Sequence, residues 1–114
     1  MHTKFLKKDN IVFEEHPKYT GVRIAKLITL QEAGPIGVSI LEIATDTTIP
    51  VHTHAPNIDS IYILAGNGEA FLNGVWQPIE HGDYIFAPAL EEHGIKNTGE
   101  GLLKLFVVHS PPFF

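Results

Sequence analysis

The chain has 114 residues, 44% of them hydrophobic and 18% charged, which is enough apolar material for one core and leaves too little for a second. A formal charge of −5, with eight Lys and Arg residues scattered apart from Lys7-Lys8, argues against nucleic acid as a partner. The absence of cysteine excludes disulfides, thiolate nucleophiles and Cys-rich zinc sites, so any metal must be held by His and carboxylate.

Lys4, Lys7 and Lys8 give a positive start, but Asp9, Asn10 and Glu14 follow where a signal peptide needs its apolar run, so the cytoplasm is the expected location. No stretch approaches the roughly 20 apolar residues that cross a bilayer, and no membrane partner is expected. Runs rich in Val, Ile, Leu and Phe then recur at short intervals, separated by Gly, Pro, Asn and Asp, which is an all-β pattern. The predicted strands are residues 22–30, 38–44, 61–64, 69–72, 75–78, 84–87 and 102–108. Turns are expected at Gly34-Pro35, Gly66-Asn67-Gly68, His81-Gly82 and residues 97–101. Asn73-Gly74, between two apolar runs, predicts a type I′ hairpin. Residues 102–108 are apolar on both parities except at Lys104, so both faces of that strand should be covered. A second copy of the chain, the first 20 residues or the tail Pro111-Pro112-Phe113-Phe114 could cover the second face.

His52-Thr53-His54 would put two imidazoles on one side of a strand, within reach of a single cation. With seven histidines, such a pair arises about 0.4 times from composition alone, so its context decides. Downstream, Asp59 and Gly66 follow His54 at fixed intervals. A second block runs from Gly82 through Pro88 to Glu91-Glu92-His93 and Asn97.

These two blocks, residues 52–66 and 82–97, resemble the two motifs of the cupin family. The first motif is a glycine, five residues, His-x-His, three or four residues, Glu, six residues and Gly. The second is Gly, five residues, Pro-x-Gly, two residues, His, three residues and Asn. The chain departs from them at Asp46 and Leu90, where the motifs have Gly, and at Asp59, where they have Glu. The resemblance implies a single domain over residues 1–114, a double-stranded β-helix or jelly-roll barrel. It also implies one divalent transition metal held by His52, His54, His93 and Asp59. Iron, manganese, nickel and zinc all suit this mixed imidazole and carboxylate set. Asp is one methylene shorter than Glu, so it could bind directly, through water, or miss the ion.

Around that site, strand parity puts Ile61 and Ile63 on the side of Asp59, as an apolar pocket wall, and Tyr62 and Leu64 on the other. Glu91 and Glu92 are candidate acids or bases, with exposed turn positions the commoner case. Asn97 is read as structural. His2, His16, His81 and His109 lack motif context and are assigned exposed or capping roles. Among strand residues, Arg23 and Lys104 are read as exposed, which makes the pocket short of cations and argues against a strongly anionic substrate. The resemblance implies a metal-dependent enzyme of dioxygenase, isomerase or lyase type, acting on a small organic molecule in the barrel mouth. The alternative is a cupin that binds or senses a sugar or organic acid without converting it, and a third is a metal that only rigidifies the barrel. A homodimer is expected.

Overall fold

The computed structural model describes residues 3–114, and His2 lies outside them. Apart from one short 3-10 turn, Lys8–Asn10, the regular structure is β. Ten strands form two antiparallel sheets. The larger sheet has the order β1 (Glu14–Glu15), β2 (Val22–Ile28), β3 (Gly37–Ile43), β10 (Leu103–Ser110), β5 (Ile58–Ala65) and β8 (Tyr84–Ala87). The smaller runs β4 (Thr48–His52), β9 (His93–Lys96), β6 (Asn67–Leu72) and β7 (Val75–Glu80). Together they form the double-stranded β-helix of the cupin type. No helix among the described residues is long and apolar enough to cross a membrane.

Alternation along each strand decides which side chains enter the space between the sheets. On β10, Leu103, Leu105 and Val107 point inward; on β5, Ile61 and Ile63 do; and Val22, Ile43, Ile49, Ala70, Ile79, Ile85 and Ile95 complete the core. Tyr62 and Leu64 are exposed on the outer face, as parity requires. Each of the seven predicted strands is present within a few residues. The Asn73-Gly74 hairpin has φ of 54° and 86° at its two central residues, the signature of type I′.

One predicted turn works differently. Gly66, between β5 and β6, does not reverse the chain but passes it from the larger sheet to the smaller. Its φ is +85°, and a Cβ there would lie 2.5 Å from the Leu102 carbonyl oxygen, so only glycine allows the crossing. Asn97 is structural, as expected. Buried, it donates to the carbonyls of Ile43 and Gly101 at 2.9 and 2.8 Å, and its Oδ1 accepts the Gly99 N–H at 3.0 Å. It thereby ties the end of β9 to β3 and to the approach of β10.

Candidate metal centre

Two strands that patterning alone did not predict, β4 and β9, carry the first and last site histidines. His52 closes β4, His93 opens β9, and the two are direct partners across the pair. Gly94 lets the strands approach: a Cβ there would sit 3.0 Å from the Val51 nitrogen. His54 is not on the strand, because β4 ends at His52. It lies in the following loop, where its carbonyl accepts the Leu90 N–H at 2.8 Å. Asp59 reaches the same place from β5, pointing inward with Ile61.

These elements bring the three imidazoles together, with one ring nitrogen from each within 4.8 Å of the others. His52 Nε2 is 3.2 Å from His54 Nε2. Asp59 Oδ2 is 3.2 Å from His54 Nε2 and 3.2 Å from His93 Nε2, so the carboxylate stands against two of the three rings.

The backbone sets the tautomers. His52 Nδ1 donates to the Pro50 carbonyl at 2.7 Å and His93 Nδ1 to the Glu91 carbonyl at 3.1 Å. In the neutral rings both Nε2 atoms therefore present lone pairs. The His93 lone pair faces a carboxylate oxygen and the His52 lone pair faces another imidazole nitrogen, contacts that repel unless a cation or proton lies between them. Burial holds His52 and His54 below the usual histidine pKa, favouring the neutral form that binds metals. At His93 burial acts the same way, but the hydrogen bonds with Asp59 and the Glu91 carbonyl outweigh it and raise the pKa. A three-imidazole cluster with an adjoining carboxylate fits a divalent transition metal, without choosing its identity.

The cluster opens into a cavity of about 360 Å³ between the sheets. Its walls correct four expectations. Ile61 lines it, but Ile63 lies deeper in the core. The cavity is not short of cations, because Lys18 and Lys26 line it. Lys26 shares parity with Val22 and Ile24, and that alternation was the signal that could have found it. His109 is neither exposed nor a cap. It is buried, it lines the cavity, and it continues the inward series Leu103, Leu105, Val107. The tail turns to this inner side as well, with Phe113 stacked near His54 and His109, and so does not cover the outer face of β10. His16 does cap, accepting the N–H groups of Lys18 and Tyr19 on Nδ1, while also lining the cavity. Glu91 and Glu92 are exposed, and Glu91 serves through its carbonyl.

The sequence profile of the family described as "Cupin domain" matches residues 39–109, which is more than half of the chain. The chain belongs to the cupin family. An uncharacterised protein of Aquifex aeolicus is 32% identical over 88 residues, 77% of this chain and 70% of that protein. A Thermotoga maritima relative called oxalate-binding protein is 32% identical over 68 residues, 60% of this chain and 56% of the relative. The chain thus matches little more than half of that relative's length. Among solved structures, one described as a predicted oxalate decarboxylase from Thermotoga maritima superposes with a TM-score of 0.84 at 24% identity, covering 95% of this chain and 99% of that one. A polyketide cyclase from Streptomyces resistomycificus gives 0.84 at 22% identity, covering 99% and 87%. At these identities the likeness establishes the fold.

Proposed function

We propose that His52, His54 and His93, with Asp59 as a fourth ligand, hold one divalent transition metal, and that a small organic molecule binds beside it in the cavity and is converted there. The convergence of three imidazole nitrogens, two of them 3.2 Å from one carboxylate oxygen, carries this reading. A bound ion would supply either Lewis-acid polarisation of a ligand oxygen or redox chemistry. The chain's own contribution is orientation. The carbonyls of Pro50 and Glu91 fix two rings, and Asp59 Oδ1, buried and without a protein partner, is placed to accept a ligand O–H.

The test is elemental analysis of protein purified without added metal, compared with His54→Ala and Asp59→Asn. We expect near-stoichiometric metal in the wild type, none with His54→Ala and a reduced content with Asp59→Asn. A wild type that stays empty under every loading condition would end the proposal. A second reading, capture without conversion, is favoured by the relative named for binding oxalate. Incubating the metal-loaded protein with oxalate and following the solution by carbon NMR separates the two for that acid: new signals mean turnover, and line-broadening without products means capture.

The homodimer belongs to the same proposal. Tyr62 (41% exposed), Tyr84 (61%), Leu64 and Phe86 project from the outer face of the larger sheet beside Phe106 and Val108, an apolar surface of the kind that marks association sites. Tyr62→Glu together with Phe86→Glu should convert a dimer to a monomer in sedimentation experiments. A wild type sedimenting as a monomer at high concentration refutes this.

A further inference from the structure

The cavity face of the larger sheet carries a second polar feature, separate from the three-histidine cluster. His109 pairs with Asp59 across β10 and β5, Val107 pairs with Ser39 across β10 and β3, and Ser39 pairs with Lys26 across β3 and β2. Asp59, His109, Ser39 and Lys26 therefore form a strip over four neighbouring strands, all on the inward parity and all lining the cavity. The strip starts at the candidate metal centre and ends at a lysine that is still partly exposed.

His109 is the decisive member. It is only 2% exposed, and its Nδ1 accepts the Phe113 N–H at 3.1 Å, so in the neutral ring the proton sits on Nε2. That Nε2 is buried and has no protein partner. The ring cannot swing away to find one. A Cβ on Gly37 would lie 2.3 Å from its Cε1, and the rings of Phe113 and Phe114 pack on it with centroids at 4.4 and 5.0 Å. A buried donor left without a partner in a cavity wall marks where a bound acceptor belongs. Ser39, also 2% exposed, adds a hydroxyl two positions along the sheet. Lys26 adds a full charge; its Nζ lies 3.4 Å from Glu14 Oε1 and 5.1 Å from the centre of the Phe114 ring.

We propose that His109, Ser39 and Lys26 form a carboxylate subsite, and that the natural ligand is a small organic acid with an apolar body. Nε2–H, hydroxyl and ammonium are all donors, and the group that complements them is an acceptor-only anion. Among the cavity-lining side chains Asp59 is the one carboxylate, at the metal end of the strip, against Lys18 and Lys26. The rest of the wall, including Ile24, Leu41, Val107 and Phe114, is apolar, and 360 Å³ is more room than a two-carbon acid fills. This deepens the metal-centre reading by naming the ligand class, and rests on it only in that the same ligand reaches the ion.

The probes are benzoate and isobutyrate, with benzamide as the neutral counterpart of benzoate, titrated calorimetrically into the metal-loaded protein. At least one acid should bind, and benzoate should bind at least about tenfold more tightly than benzamide, the effect of one charge-assisted hydrogen bond. His109→Phe keeps the packing but lacks the donor, and should weaken acid binding about tenfold with metal content unchanged. His109→Gln restores a donor and should recover most of the loss, while Lys26→Met should cost a few-fold. Benzoate and benzamide binding alike, or His109→Phe titrating like the wild type, overturns the subsite. Loss of metal in His109→Phe also overturns it, by assigning His109 to the metal centre. A wild type that holds metal but binds neither acid refutes the subsite and leaves the metal reading standing. One that holds no metal yet prefers benzoate to benzamide does the opposite.

Discussion

His93 and His109 flank the same carboxylate from opposite sheets, and both are buried in the cavity wall. His93 meets Asp59 Oδ2 at 3.2 Å from β9, and His109 pairs with Asp59 across β10 and β5. What separates them is the backbone group that meets each Nδ1 at hydrogen-bond geometry. The Glu91 carbonyl accepts a hydrogen bond from His93 Nδ1–H, whereas the Phe113 N–H donates one to His109 Nδ1. The first contact leaves a lone pair on Nε2 and the second leaves an N–H there. Two residues of one type, one cavity apart, become an acceptor suited to a cation and a donor suited to an anion. The chain around a histidine, more than its burial, assigns its chemistry here.

The largest effect expected from this contrast is on metal retention. His93→Ala should lower metal affinity by more than the roughly 100-fold that loss of an outer-shell partner costs, because a ligand itself is removed. His109→Phe should leave it unchanged. Competition with a chelating dye measures both. Equal losses in the two variants would mean that the opposite ring orientations have no functional meaning.

A smaller effect should appear in the titration of the metal-free protein. His93 is raised above 6.5, burial being outweighed by its bonds to Asp59 and the Glu91 carbonyl, and His109 is lowered below 6.5, chiefly by burial. A raised histidine contributes stability below pH 6.5 that disappears as pH rises through its folded value. A lowered one acts oppositely: the unfolded chain takes up the proton first as pH falls below 6.5, so stability falls with it. His16, His52, His54 and His109 are lowered, against His93, which is raised. The metal-free protein should therefore melt at lower temperature at pH 5.5 than at pH 7.5, before most carboxylates titrate. Proton–nitrogen NMR should place the His93 midpoint above that of His109, and ring-nitrogen shifts that put the proton of both neutral rings on the same nitrogen would remove the assignment of opposite tautomers.

Much of this was legible in the sequence, but unevenly. The core strands announce themselves by β-branched alternation, and Asn73-Gly74 specifies its own turn chemistry. The two strands that carry site histidines do not. β4 contains Pro50 and β9 contains Gly94 and Lys96, so neither reads as an apolar run. Motif spacing located His52, His54, Asp59 and His93 where periodicity could not. The converse holds for His109 and Lys26, which no motif marks but which strand parity places inside. For His109, a polar residue at the end of an apolar alternation looks like the end of the strand; Lys26 lies inside the predicted strand 22–30, where apolar Ala25 and Leu27 on either side blur the alternation.

The two glycine departures from the family motifs have a structural counterpart. Asp46 and Leu90 have φ of 57° and 71°, in the left-handed region where glycine is at ease and a side chain is not. Asp tolerates this region; Leu does so less readily. Leu90 sits in the loop that hydrogen-bonds His54 and supplies the Glu91 carbonyl to His93, so its strain bears on the ring orientation at the centre of the contrast. Its side chain is 69% exposed, and little burial is lost by removing it. Leu90→Gly should relieve roughly 1–2 kcal/mol of left-handed strain, against about 0.5–1 kcal/mol of added unfolded-state entropy. The net is a gain of about 0.5–1 kcal/mol, or a melting temperature higher by roughly 2–5 °C. Thermal unfolding with and without metal checks it. A gain in both forms with unchanged metal affinity means that the loop holds His93 by hydrogen bonds alone. A gain in stability with weaker metal binding means that the left-handed leucine stiffens the loop and helps keep the His93 lone pair pointed into the cavity. A loss of stability would show that Leu90 is not strained where it stands.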